Sequence, residues 1–250
     1  MSVGISLAKR YGSVLAFLAV WELSCRLGWV DAQFIPAFSQ VVIFIGGQIA
    51  EGQLFTHLGI SLGRAVTGFI IAVLVSIPLG VLLAGWSEQV RLAVEPVTEW
   101  LAYINPFVVF HIIIVFMGAG EATKVTIIAW ACIWPIMFST LSGILHADQD
   151  IVKSARSLGL SRFQLTIKVL LPYAFPAILT GIRLSLGYAL LFLIAAEMMG
   201  ASSGLGWMIY RAQRNYQIVE MFSAVTVIAA LAVSIDGIIS SIGKRLSYRL

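Results

Sequence analysis

The sequence predicts an all-α integral membrane protein with about six transmembrane helices. Three observations carry this expectation. The 250 residues are 60% hydrophobic and only 11% charged, with a mean hydropathy of +0.96. A soluble globular domain carries about 25% charged residues, so this chain lacks the polar surface to cover a globule, and lipid suits it better as solvent. Long apolar stretches recur near the roughly 20 residues a helix needs to cross a bilayer. Finally, Lys and Arg concentrate in alternate loops, as they do when loops face opposite sides of a membrane.

Six stretches qualify or nearly qualify as spans: residues 11–29, 57–86, 101–117, 122–145, 177–201 and 219–243. In the first, Lys9 and Arg10 precede an apolar run as in a signal peptide. Glu22 and Arg26 then interrupt the place where a small-residue cleavage site should follow, so the segment reads as a retained helix. Those two charges stand one helical turn apart, the spacing of an ion pair. The second stretch is long and holds Pro78, so it is expected to tilt, kink or begin outside the hydrocarbon. The third is short. Cys25 and Cys132 both lie in apolar surroundings without a C-x-x-C, and read as small buried hydrophobes rather than a disulfide or metal site.

Orientation follows from the basic residues. With six spans, Lys9, Arg10, Arg91, Lys153, Arg156, Arg162, Lys168, Lys244, Arg245 and Arg249 share one side, against Lys124, Arg211 and Arg214 on the other. The positive-inside rule then puts both termini in the cytoplasm. A net charge of +4 distributed in this way does not suggest nucleic acid as a partner.

The loops differ in character. Residues 30–56 face outward, contain Pro36 and a short amphipathic pattern, and are expected along the membrane surface. Residues 87–100 form a cytoplasmic loop bearing Glu88, Glu95 and Glu99, and residues 202–217 an external loop rich in Gly and aromatics. Small residues recur every four positions at Ser76, Gly80 and Ala84, at Gly181, Ser185 and Ala189, and at Gly59 and Gly63, the pattern that lets helices approach closely in lipid. Trp29, Trp86, Trp100 and Trp207 fall near the expected interfaces, while Trp130 and Trp134 are mid-span and read as packing residues. Two regions result: residues 1–56, a transmembrane helix with an external amphipathic segment, and residues 57–250, a transmembrane core with a cytoplasmic loop at 147–175.

That loop is the longest and most basic on its side. From Ile151 to Pro176 it predicts two short helices, the first ending near Gly159, the second capped by Ser161 and broken at Pro172. Leu158, Leu160 and Phe163 stand among Lys153, Arg156 and Arg162, giving an apolar tip with basic flanks. Such a tip fits either the anionic inner leaflet or a groove on a cytoplasmic protein.

The spacing resembles the "EAA" loop of permeases of binding-protein-dependent ABC importers, in which E-A-A, Gly, Ile and Leu-Pro follow at fixed intervals. Here Lys153, Ser154 and Ala155 stand at E-A-A, Gly159 at the Gly, Val169 at the Ile, and Leu171 and Pro172 at Leu-Pro. Lys153 and Ser154 depart from the family residues. Gly118 to Lys124 resembles the G-x-G-E-x-x-K segment of the branch importing nitrate, sulfonates and taurine. Thr180 to Arg183 is similar to its T-G-L-R, Ala195 to Met198 to its A-A-E-M, and Ser202 to Gly206 to its S-S-G-L-G. Asn105-Pro106 stands where relatives carry a Pro pair.

The resemblance implies a type I ABC importer permease fold in a bacterial inner membrane, with a cytoplasmic coupling helix. It implies two permease copies forming the path, two ABC ATPase subunits binding ATP and Mg, and an extracytoplasmic solute-binding protein. The coupling element would comprise Lys153, Ser154, Ala155, Arg156, Leu158, Gly159, Leu160, Ser161, Arg162, Phe163 and Pro172. The solute would be a small anion such as a sulfonate, taurine or nitrate.

The chain itself shows no G-x-x-x-x-G-K-[ST], no metal-ligand spacing and no nucleophile–base pair, so it is expected to bind no cofactor and catalyse no reaction. The alternative is a secondary transporter or channel, which would need coupling carboxylates at mid-membrane. Ionisable or polar residues inside spans are costly and mark candidate path positions: Asn105, His111, Arg183, Tyr188 and Glu197. Their structural counterparts are interhelical hydrogen bonds for Asn105 and His111, and backbone hydrogen bonding for Glu197. Arg64 and Arg183 lie near span ends and are expected to snorkel.

Overall fold

The computed structural model describes the backbone of residues 2–31, 33–85 and 88–247, and the side chains of residues 12–31, 33–85 and 88–238. The side chains of Lys9, Arg10, Trp86, Lys244, Arg245 and Arg249, used above, lie outside the described residues. In chain order the helices are α1 (Ser2–Arg26), α2 (Phe38–Ala50), α3 (Gln53–Gly85), α4 (Glu88–Tyr103), α5 (Pro106–Met117) and α6 (Glu121–Leu145). There follow α7 (Gln149–Ser157), α8 (Arg162–Leu165), a π-helical turn (Thr166–Leu170), α9 (Leu171–Gly200), α10 (Leu205–Arg214) and α11 (Ile218–Ser247). Among the described residues four stretches are long and apolar enough to cross a bilayer: Gln53–Gly85, Glu121–Leu145, Arg162–Gly200 and Ile218–Ile238. Helices α4 and α5 make a fifth if taken together as one broken span. Helix α1 occupies the first expected span.

Four expectations are corrected. Residues 101–117 are not one span: α4 and α5 meet at an angle of 85°. Pro106 excludes the helical region for the residue before it, and Asn105 accordingly turns to ψ 123°, its side chain accepting a hydrogen bond from the Phe107 N–H at 2.9 Å. Residues 87–100, expected as a loop, are helical from Glu88 onward as part of α4. The expected break at Pro172 is absent, because the helix continues from Arg162 to Gly200. Proline lacks an N–H and clashes with the preceding turn. The π-helical turn absorbs this by shifting the register one residue, so that the Leu171 N–H reaches the Thr166 carbonyl. Residues 202–217, expected as an external loop, contain a helix, α10.

The chain forms two compact units, Met1–Ile60 with Ser202–Ala230, and Ser61–Ala201 with Leu231–Leu250. In the first, the Trp21 indole donates to the Pro36 carbonyl (3.0 Å) and its ring packs against Phe38 and Phe222. Glu22 pairs with Arg26 at 2.6 Å, as the one-turn spacing predicts, and also accepts from the Ser39 N–H and hydroxyl.

In the second unit α6 and α9 pack along most of their length. Glycines permit this approach. A Cβ at Gly181 would lie 2.6 Å from the Ser139 Cβ, and one at Gly143 2.8 Å from the Ala177 Cβ; Gly80 lets α3 approach α6 in the same way, 2.8 Å from the Thr140 Cβ. Ser185 and Cys132 exchange hydrogen bonds with each other's carbonyls, and both are buried. Ile127, Ile128, Cys132, Ile136, Leu193 and Ala196 form the centre of the core. A Cβ at Gly59 or Gly63 would meet nothing within 4 Å among the described residues.

Candidate functional site

Three features of the second unit carry charge or exposed chemistry. The first is a buried ion network. Arg64 leaves α3 one turn after Ser61 and is 5% exposed. Its Nε and Nη2 donate to Glu121 in the first turn of α6, at 2.5 and 2.7 Å, and its Nη1 donates to Glu197 in the last turn of α9 at 2.7 Å. The Ser61 hydroxyl donates to both Glu197 oxygens, and Lys124 to Glu121 at 2.9 Å. Glu197 is fully buried and Lys124 nearly so, whereas the Glu121 side chain is 63% exposed. Arg64 and Lys124 here face Glu121 and Glu197, cation against anion, as buried charges require. Arg64 therefore does not snorkel. Glu197 accepts from the Ser61 hydroxyl and from the Arg64 guanidinium.

The second feature is the open face of α9. Leu184, Tyr188 and Phe192 line a groove of ≈ 470 Å³ together with Glu99, Tyr103, Pro106 and Trp134. Arg183, beside Leu184, donates through Nε and Nη2 to Asp236 of α11 at 3.1 and 2.9 Å. This pair also replaces the snorkelling expected of Arg183. The five path candidates do not converge. Tyr188 borders the groove and Arg183 is tied to Asp236. Glu197 is enclosed in the network, Asn105 caps α5, and His111 Nδ1 lies 2.7 Å from the Phe107 carbonyl.

The third feature is the turn joining α7 and α8. Gly159 adopts φ +78°, the left-handed conformation that suits glycine. The Leu160 N–H reaches the Ala155 carbonyl and the Gly159 N–H the Arg156 carbonyl, which is a Schellman ending. Ser161 then opens α8 with a capping box, its hydroxyl accepting from the Gln164 N–H while the Gln164 side chain accepts from the Ser161 N–H. The turn is thus hydrogen-bonded on both sides. It presents Leu158 (80% exposed) and Phe163 (74% exposed) between the exposed Arg156 and Arg162. Ala155 is buried, Leu160 half-buried, and Lys153 and Ser154 are exposed, with Lys153 3.4 Å from Asp150. Pro172 is exposed at the start of α9.

Residues 76–249 match the binding-protein-dependent transport system inner membrane components. The chain belongs to this family. It is 34% identical over 244 residues to a putative aliphatic sulfonates transport permease protein of Bacillus subtilis (strain 168), covering 95% of this chain and 88% of that one. It is 32% identical over 241 residues to a taurine transport system permease protein of Escherichia coli (strain K12), covering 94% and 87%. A solved structure of the MetNI methionine ABC transporter, in an inward-facing conformation, superposes with a TM-score of 0.66 at 16% identity, over 80% of this chain and 96% of that one. The fold is that of the permease subunits of type I ABC importers. The chain is accordingly a membrane-embedded transport subunit and not an enzyme.

Four residues of the permease's network and one of its ion pair escaped the sequence reading as partners: Ser61, Arg64, Glu121, Lys124 and Asp236. A signal was present. The start of α3, the start of α6 and the end of α9 fall on one side in the six-span topology, so Arg64, Glu121 and Glu197 are opposite charges at one depth.

Proposed function

We propose that this permease imports a small organic anion of the sulfonate and taurine class. ATP and Mg are bound and ATP is hydrolysed on two separate ATPase subunits. A second copy of the chain completes the path, and an extracytoplasmic binding protein delivers the solute. Both termini face the cytoplasm, and the α7–α8 turn is the element through which the ATPases act. Of the path candidates, Arg183 and Tyr188 contact the solute. The relatives that transport sulfonates and taurine support the solute class.

One observation carries the coupling role: Leu158 and Phe163 are large, apolar and almost fully exposed on a turn whose backbone is locked by hydrogen bonds. Burying each such side chain in a partner's groove contributes about 1.5–3 kcal/mol, and a rigid turn loses little entropy on docking. Arg156 and Arg162 flank the tip and favour an acidic rim on the partner. The residues from Lys153 to Phe163, with Pro172 at the base of α9, would transmit the closure of the ATPases to the long helix.

The test is affinity purification from native membranes of the wild type and of a variant with Leu158→Asp, Leu160→Asp and Phe163→Asp. An ATPase subunit is expected with the wild type and not with the variant. A wild-type chain that recruits no ATPase and moves solute alone on an ion gradient would overturn the proposal.

A further inference from the structure

Arg183 and Asp236 form an ion pair in an unusual place. The network of Arg64, Glu121 and Glu197 marks one polar boundary of the second unit, since α3 runs from Ala65 to Gly85 without an ionisable residue. Arg183 precedes Glu197 by 14 residues of continuous helix, about 21 Å at 1.5 Å per residue. The hydrocarbon core is about 30 Å thick, so the pair lies inside it, about 9 Å short of the far boundary. Helix α6 gives the same depth, because Gly181 packs against Pro135 and Ser139, 14 and 18 residues beyond Glu121.

At that depth the side chains of Arg183 and Asp236 are still 52% and 56% exposed. The long stem of an arginine can carry its charge toward a boundary, but the single methylene of an aspartate cannot. An ion pair half-open to hydrocarbon would be costly, so lipid does not cover this face. The face continues along α9 through Thr180, Leu184, Gly187, Tyr188 and Leu191, all exposed, and Leu184 and Tyr188 line the groove. Arg183 uses Nε and Nη2 on Asp236, which leaves the two N–H groups of Nη1 for a further acceptor.

Resting on the import reading above, we infer that the Arg183–Asp236 pair faces the aqueous path, that the anionic group of the passing solute binds the free edge of Arg183, and that Asp236 is a specificity-determining residue which keeps this contact brief. One N–H of Nη1 and the outer N–H of Nη2 form the remaining edge, a pair of parallel donors suited to a sulfonate or carboxylate. An unopposed guanidinium would hold the anion. With Asp236 on its other edge the pair carries no net charge, and the aspartate repels the anion that Arg183 binds.

The experiment uses the complete importer in proteoliposomes, with ethanesulfonate as probe. A cysteine at Gly187, where a side chain meets open space, reports on the face without touching the pair, and the unmodified chain supplies the background from Cys25 and Cys132. The Gly187→Cys side chain is expected to react with a charged, water-soluble methanethiosulfonate, and ethanesulfonate to slow that reaction. Reaction only with a lipid-soluble maleimide would assign the face to lipid and overturn the inference. Asp236→Asn is expected to lower both KM and kcat for ethanesulfonate, roughly two- to five-fold, the range of an exposed ion pair; unchanged values would overturn the role of Asp236. A wild-type importer that moves no ethanesulfonate with ATP would instead count against the anion reading, and the labelling would still decide whether the pair meets water.

Discussion

Two arginines inside apolar helices meet opposite fates. Arg64 is almost fully buried and bound by two glutamates from two other helices, to which Ser61 and Lys124 also donate. Arg183 is half-exposed and bound by one aspartate. Both are ion pairs between membrane helices, yet the physics differs. A buried charge has no water to fall back on, so every partner is required and the arrangement has one geometry. An exposed pair can exchange its partner for water or a solute anion, and its net contribution to stability is small. The contrast separates a fixed joint among α3, α6 and α9 from a group free to take part in transport.

The largest expected effect breaks the joint. Arg64→Met removes the guanidinium bound to the buried Glu197, and breaking a buried ion pair costs about 3–5 kcal/mol. Thermal unfolding of the detergent-purified chain is expected to show a large drop in Tm, or the variant is not recovered from membranes at all. Recovery at wild-type Tm would mean that water reaches Glu197. A smaller effect is expected for Gly181→Ala, on the buried side of α9, since the added methyl lands 2.6 Å from the Ser139 Cβ. Overpacking of this kind costs about 1–3 kcal/mol. Gly187→Ala, on the open side of the same helix and with no neighbour within 4 Å, should be neutral or slightly stabilising by helix propensity. Equal Tm values for the two alanine variants would show that α6 and α9 do not rely on the close approach at Gly181.

Much of this was legible in the sequence because it is local. The spans, the glycine and serine positions at the α6–α9 contact, the Glu22–Arg26 pair, and the Gly159 and Ser161 caps follow from periodicity, spacing and backbone preference within a few residues. What was not legible is non-local or cooperative. Arg64 reads as a snorkelling residue because α3 holds no acidic residue; its glutamate partners lie 57 and 133 residues away. The helix through Pro172 survives by a register change at Thr166–Leu170 that no single residue announces. The bend between α4 and α5 was misread as a loop followed by a short span, although Asn105-Pro106 carried the signal for a break at that point.

The smallest effect on stability tests the other half of the contrast. Arg183→Gln removes the charge and retains a hydrogen-bonding side chain of similar reach. With the pair half-open, the loss of stability is expected to stay below about 1 kcal/mol. The double variant Arg183→Gln, Asp236→Asn should show a coupling energy of similar size when set against the single variants in a double-mutant cycle. Transport should respond out of proportion, with ATP-driven uptake of ethanesulfonate falling while Tm holds. A loss as large as that of Arg64→Met would place Arg183 in a closed interior, and the two arginines would then be two joints of one kind.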